Sequence, residues 1–367
     1  MPSLRTTAAL AALCLALSAS ATPIAAAPRP ATKNLGRWQL LSPIALQPRQ
    51  EHTVVALNAT TLALVGGIVP APGGGGGNSP SDWVTTDMFQ LYNVKTATWS
   101  PGPALPYAVN HANTVVIGDS LYLLGGLVPN AEGNWVATGA THVLRGISSL
   151  AASSSGGGPQ WQALAPIPEG AARGSAAVAA HDGRVYLAGG MRQLIPQDTV
   201  GTVVTYDVAA DAWIAAAAPS MPEGRDHAGS AVVGGTLYVL GGRFQGQDNV
   251  RDTVFTLDLS DVAAGWAMRP GRMPTARGGV AAAAVGSKIY TFGGEGNPAN
   301  GTAGVFSETE AYDVRADAWQ RLAPMEVPRH GSWAVSMPNG GVYVPGGGIR
   351  QGGAAVDTFD VFWPPKC

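Results

Sequence analysis

Cysteine is nearly missing from this 367-residue chain: only Cys14 and Cys367 are present. Once a leader carrying Cys14 is removed, no intrachain disulfide can form and no cysteine-pair chemistry is available. Charge is also scarce, at 13% of residues with a formal net charge of −2. No basic surplus exists to attract a polyanion, so nucleic acid is not an expected partner. No long apolar run follows residue 21, so no membrane span is expected. The sequence contains no His-Glu-x-x-His zinc motif and no Gly-x-Ser-x-Gly serine elbow. The histidines are scattered without ligand spacing, so neither a metal nor another cofactor is expected. The glycine run at 73–77 is not followed by Lys-Ser/Thr, so it is not a phosphate loop.

What the chain does contain begins with a leader. Arg5 precedes an apolar stretch at 8–21 that ends in Ala19-Ser20-Ala21, a small-x-small cleavage signal. Residues 1–21 are therefore expected to be a signal peptide and the mature protein to be extracellular. Residues 22–35 are Ala/Pro-rich and read as a loose arm. Asn58 and Asn300 open N-glycosylation triplets in expected turns.

Glycine is abundant, at 49 residues, and it is patterned. Leu237-Tyr238-Val239-Leu240-Gly241-Gly242 is one of six runs of four mostly apolar residues ending in a glycine pair. The first glycines fall at 66, 125, 189, 241, 293 and 346, with gaps of 59, 64, 52, 52 and 53. A period near fifty with short apolar runs and turn signals means radial repetition of a β unit. Each unit reads as four short strands forming one antiparallel sheet. Tyr92, Tyr206 and Tyr312 each precede a tryptophan by seven residues; Leu257 takes that place before Trp266. In the second unit His142 is expected there, with Trp161 delayed by a Ser/Gly-rich insertion at 152–158. The aromatics are expected to fill the wedges between units. The last unit lacks its tryptophan strand, and an unpaired strand around Trp38 is expected to complete it, removing the sheet edges.

An Arg before the first strand, a Gly-Gly pair ending the second, then Tyr and Trp at set spacing: this resembles the kelch motif over nearly all of residues 36–363. The resemblance implies an all-β fold, a six-bladed kelch β-propeller whose last blade is closed by an N-terminal strand, with 364–367 as a tail. Stretches such as Glu223-Gly224-Arg225-Asp226-His227-Ala228 and Thr291-Phe292-Gly293-Gly294-Glu295-Gly296-Asn297 look like the extracellular kelch proteins of filamentous fungi. Some members of that group are encoded beside secondary-metabolite enzymes.

Antiparallel alternation places the loops entering each first strand and those following each glycine pair on one face. These loops carry Arg49, His52, His111, Arg173, Arg225, Asp226, His227, Arg277, Arg329 and His330, and Arg192, Arg243 and Glu295. His181 is expected in a turn on the other face. Convergent guanidinium groups recognise carboxylates or enolates, which predicts a cation-lined mouth for a small polar or anionic molecule or a glycan. The competing reading is that the repeat arginines are structural and bond backbone carbonyls. His111, His227 and Glu295 are the candidates for proton transfer. Trp83 and Trp135, each beside a long loop, are candidates for a rim.

Three functions are compatible with this set. The first is a binding module, which the fungal resemblance implies to be an accessory of a secondary-metabolite pathway. The second is a cofactor-free isomerase or cyclase, since secreted bacterial kelch propellers include a sugar-acid mutarotase. The third, a copper-radical oxidase, is disfavoured, because such relatives crosslink their radical tyrosine to a propeller cysteine that this chain lacks.

Overall fold

The computed structural model describes residues 34–73, 77, 79–152, 158–214 and 218–365. The expected leader, nearly all of the arm at 22–35, most of the insertion at 152–158 and the end of the tail lie outside the described residues. Among the described residues no helix is long and apolar enough to cross a membrane.

Six four-stranded antiparallel sheets form the blades of a propeller. Blade 1 comprises Thr53–Ala56, Thr61–Val65, Phe89–Asn93 and Thr98–Pro101, from the innermost strand outward. Blades 2 to 5 repeat this order and start at Thr114–Ile117, Ala177–His181, Gly229–Val233 and Ala281–Val285. Blade 6 comprises Val335–Ser336, Val342–Pro345 and Phe359–Trp363, and its outermost strand is Arg37–Leu40 from the other end of the chain. Trp38 pairs with Phe362 in that closure, their rings 5.2 Å apart. The innermost strands touch one another in a closed circuit, blade 6 meeting blade 1.

The glycine pairs explain how the blades fit together. The N–H of each second glycine donates to a carbonyl at the start of the next blade: Gly67 to Val109, Gly126 to Arg173, Gly190 to Arg225, Gly242 to Arg277, Gly294 to Arg329 and Gly347 to Arg49, at 2.6–3.0 Å. A Cβ on Gly293 would lie 2.1 Å from the Arg329 oxygen, so only glycine permits this approach.

The outermost strands are fixed by their tryptophans. Trp38, Trp99, Trp161, Trp213, Trp266 and Trp319 each donate an indole N–H to a carbonyl in the segment that connects the preceding blade to their own. In blade 2 the residue facing the tryptophan is Leu144, not His142: Leu144 pairs with Trp161 and Leu121. That is the place held by Tyr92, Tyr206, Leu257 and Tyr312. Two of the six wedges therefore take leucine; His142 shares the face of Leu144 but stands two residues earlier, opposite Leu123 and Ala163.

Three blades carry an extra hairpin after the glycine pair. These ribbons are Ile68–Pro70 with Trp83–Thr85, Leu127–Pro129 with Trp135–Ala137, and Gly348–Arg350 with Gly353–Ala355. They belong to the adjoining blades 6, 1 and 2, and they raise one side of the mouth.

Candidate functional site

The chain enters each blade through a residue held at positive φ. These are Glu51, His111, Ser175, His227, Gly279 and Gly331, at +53°, +50°, +54°, +51°, +61° and +59°. Their backbones form a belt around the axis. The N–H of Glu51 donates to Gly331, His111 to Glu51, Ser175 to His111, Gly279 to His227 and Gly331 to Gly279, at 2.7–3.3 Å. The remaining link runs from the His227 N–H to the Ser175 hydroxyl, at 3.0 Å. Glycine is the ordinary residue for such a backbone; a larger one costs about 1 kcal/mol or more. Four of the six positions nonetheless carry side chains, and three of these are Glu51, His111 and His227.

Those three meet. His111 Nε2 lies 3.0 Å from Glu51 Oε2 and 2.9 Å from His227 Nε2. The far nitrogens are held from behind: His111 Nδ1 is 2.6 Å from Asn110 Oδ1, and His227 Nδ1 is 2.7 Å from Asp226 Oδ1. Asn110 is itself oriented by the bond from its amide to the Thr85 hydroxyl. Asp226 also accepts from Gln197 at 2.8 and 2.7 Å, from the Thr199 hydroxyl, and from Arg243 Nε at 3.0 Å.

Arg243 links the two halves of the cluster. Its Nη1 pairs with Glu295 and its Nη2 lies 3.0 Å from His227 Nε2. Glu295 Oε2 accepts from Gln247 and from the Gly352 N–H, and lies 3.3 Å from His330 Nδ1. The other His330 nitrogen meets the Arg350 carbonyl at 2.9 Å.

Burial and charge oppose each other here. Burial alone would raise the Glu51, Asp226 and Glu295 carboxyls, but neighbouring imidazoles, with Arg243 at Asp226 and Glu295, outweigh it and hold all three below the usual range. Burial first, then the Arg243 charge, pushes the His227 imidazole down.

The cluster forms the floor of a cavity of about 240 Å³, lined by Glu51, His111, His227, Arg243, Glu295, His330, Gln50, Gln197 and Gln247, and walled by Trp83, Trp135, Leu194 and Ile195. Glu51, His111 and His227 also place their ligand atoms within 4.8 Å of one another, as a metal site would. The donor set suits a metal, but the Arg243 guanidinium already occupies the His227 lone pair and brings a positive charge to the same point.

The sequence expectation of a cation-lined mouth is corrected by this geometry. Arg49, Arg173, Arg277 and Arg329 are almost wholly buried and donate to the carbonyls of Gly66, Gly189, Gly293 and Gly346 in their own blades. Arg225 instead bonds Glu223, the Gly224 carbonyl and the Thr253 hydroxyl. In blade 2, which has no arginine there, the Tyr107 hydroxyl takes the task, bonding the Gly125 and Ala140 carbonyls. Arg192 is bound to Asp198 and lies outside the cavity. His52, expected to lie free of the blade packing, is fully buried against the Pro345 carbonyl. Of the expected arginines only Arg243 lines the cavity, and three carboxylates surround that one guanidinium cluster.

His111, His227, Glu295, Arg243 and His330 do converge, with Asp226 behind His227. Glu51 and Gln50 were missed. The available signal was register: Glu51 stands two residues after Arg49, as Ser175 and His227 stand after Arg173 and Arg225.

Comparison with known proteins agrees with the repeat pattern. The family description matching residues 114–348 is the KLHDC2/KLHL20/DRC7 Kelch-repeats domain. Kelch-like protein terF of Aspergillus terreus is 38% identical over 361 residues, covering 96% of this chain and 72% of that protein. N-acetylneuraminate epimerase of Brucella suis is 30% identical over 149 residues, 38% of this chain and 37% of that one. The solved structure of YjhT superposes with a TM-score of 0.66 at 16% identity, over 87% of this chain and 95% of that one. With six blades in register and this family match, the chain belongs to the kelch-repeat family as a six-bladed β-propeller.

Proposed function

We propose that the axial cavity binds a small polar molecule. One observation carries this reading. Gln50 Oε1 is buried without a hydrogen bond, and it lines the same cavity as Glu51 and His330. Glu51 and His330 have ion-pair approaches there. A buried polar atom without a hydrogen bond costs about 1–3 kcal/mol, and a ligand offering hydroxyl donors recovers it. With Arg243 already matched by Asp226 and Glu295, the floor favours a hydroxylated head over a carboxylate anion.

A specific feature favours a second reading, proton transfer on the bound molecule by a cofactor-free isomerase or cyclase. Asp226 orients His227, and His111 stands between Glu51 and His227 with its Nε2 near both. This is the arrangement of a positioned acid–base group. The similarity to a fungal Kelch-like protein supports a setting among secondary-metabolite enzymes, and the leader pattern supports an extracellular location with glycans at Asn58 and Asn300.

Native mass spectrometry after incubation with culture extract tests the first reading: a mass adduct on the wild type that is lost in Glu51→Ala is expected. An adduct that persists in Glu51→Ala removes the axial site. For the second reading, His111→Gln and His227→Gln are expected to retain the adduct but to lower its conversion about 100-fold. Unchanged conversion leaves only binding.

A further inference from the structure

The axial cavity is too small to hold a whole metabolite of ordinary size. At about 240 Å³ it falls below the roughly 300–1,000 Å³ typical of ligand sites. It does not end at its own walls. Trp83, Trp135 and Ile195 are shared with an outer groove of about 800 Å³ that runs between the hairpins of blades 1 and 2.

The two compartments differ in chemistry. The inner one has a floor of imidazole, carboxylate and guanidinium. The outer one is faced by the two tryptophans with Val84, Pro129 and Ile195, and its rim carries Ser79, Ser81, Thr85, Glu132 and Asn134. Val84 and Ile195 are 44% and 56% exposed, among the few large apolar side chains that the described residues leave open to water. Exposed apolar residues gathered along one groove mark a binding surface, whereas scattered single ones do not.

The groove is also built to keep its shape. The blade 2 hairpin is tied to the loop of blade 3: Leu194 N–H donates to Trp135 O at 3.0 Å, Ala137 N–H to Arg192 O at 2.7 Å, and the Asn134 amide to Ile195 O at 2.6 Å. On the other side the Trp83 indole donates to Gly77 O at 2.9 Å. Both tryptophans belong to one buried cluster with Ile68, Leu127 and Met191. Their rings are therefore fixed walls, preorganised for a ligand.

We propose that the ligand of this site is a two-part molecule. Its hydroxylated head reaches the Glu51–His111–His227 floor, and its hydrocarbon body lies in the outer groove along Trp83, Trp135 and Ile195. This rests on the axial-site reading above and adds the ligand class: an amphiphilic molecule rather than a free sugar or small acid, which would leave the tryptophan-faced side of the groove uncovered.

Isothermal titration of the full chain with resorcinol and with 4-hexylresorcinol separates the two claims. The hexyl compound carries the same head plus an apolar tail. It is expected to bind at least about 30-fold tighter than resorcinol, a modest fraction of what burial of six carbons provides. Val84→Ser and Pro129→Ser, both at exposed positions that line the outer groove and not the axial cavity, should each reduce that gain about 3-fold or more and leave resorcinol affinity unchanged. Equal affinity for the two compounds, or a tail gain untouched by both substitutions, overturns the groove while the head site stands. Binding of neither compound overturns the axial site and the groove together.

Discussion

His111 Nε2 and His227 Nε2 lie 2.9 Å apart, although 116 positions separate them in sequence. Asn110 and Asp226 hold the opposite nitrogens of the two rings, so their Nε2 atoms are turned toward each other and toward Glu51. Two lone pairs cannot face each other at this distance; a proton on His111 Nε2 must lie among Glu51, His111 and His227.

This fixes the tautomer of His227. Nδ1 carries its proton, donated to Asp226, and Nε2 accepts from Arg243. Long-range proton–nitrogen correlation spectra are expected to show His227 protonated at Nδ1, and Asp226→Asn should disturb that pattern. A His227 signal with the proton on Nε2 would remove the proposed orientation of the pair.

The same contact bears on metals. Arg243 Nη2 stands 3.0 Å from the nitrogen that a metal would need. Elemental analysis of protein purified without chelator is expected to find well under one equivalent of any transition metal, and Arg243→Ala is expected to raise uptake. Stoichiometric metal in the wild type would show that the guanidinium yields its place.

Ring closure makes its own prediction. Trp38 donates to the Ala323 carbonyl at 2.9 Å and packs on Phe292 and Phe362 with centroids 5.3 and 5.2 Å away. Trp38→Ala should cost about 3 kcal/mol or more, in the range for a packed aromatic. Deletion of residues 36–40 should cost more, since it leaves Phe359–Trp363 as an open edge. Thermal melts decide this, and a truncation that melts with the wild type would mean the last blade does not need its fourth strand.

The fold was legible because its signals are local and repeated: glycine pairs, tryptophans and strand alternation each recur in every blade. The site was half legible. Arg49, Arg173, Arg277 and Arg329 look like ligands in sequence, yet unpaired glycine carbonyls inside each blade claim them. Glu51 was hidden because nothing in the sequence marks a glutamate that adopts the backbone of a glycine. His142 misled because a two-residue shift along a strand keeps the same face, so alternation cannot choose between His142 and Leu144, and only the pairing with Trp161 does.

Of the buried repeat arginines, Arg49 and Arg173 have no carboxylate partner among the described residues, and Arg49 also leaves nitrogens unbonded. In blades 5 and 6 the second residue of the third strand is acidic: Glu310 pairs with Arg277 at 2.7 Å and Asp360 with Arg329 at 2.8 Å. In blade 1 that position is Gln90, and the Arg49 Nε and Nη2 find no hydrogen-bond partner among the described residues. Burial pushes the Arg49 guanidinium down to about 9. Gln90→Glu should therefore stabilise the protein by about 1 kcal/mol and raise Tm, provided the new carboxylate reaches Arg49 as its counterparts do. A lowered Tm at neutral pH would show that blade 1 has no room for the pair.

His52 contributes to the mild-acid stability, together with His227 and His142, whose imidazoles burial also pushes down. Burial first, then the charge of Arg49, lowers the His52 pKa from 6.5 to about 3, with Glu51 and the Pro345 carbonyl opposing and Arg329 reinforcing the fall. The folded protein therefore keeps His52 neutral where the unfolded chain protonates it. The stability this provides is complete above pH 6.5 and is lost as pH falls toward 3, with a slope approaching ~1.4 kcal/mol per pH unit below the unfolded value. Between pH 6.5 and 4.5 carboxylates contribute little to that slope. Gln at position 52 keeps a donor for Pro345 without a titrating ring, so His52→Gln should flatten the decline in Tm across this window. Equal declines in wild type and variant would mean that His52 is protonated within the fold, and that its buried position carries no pH cost.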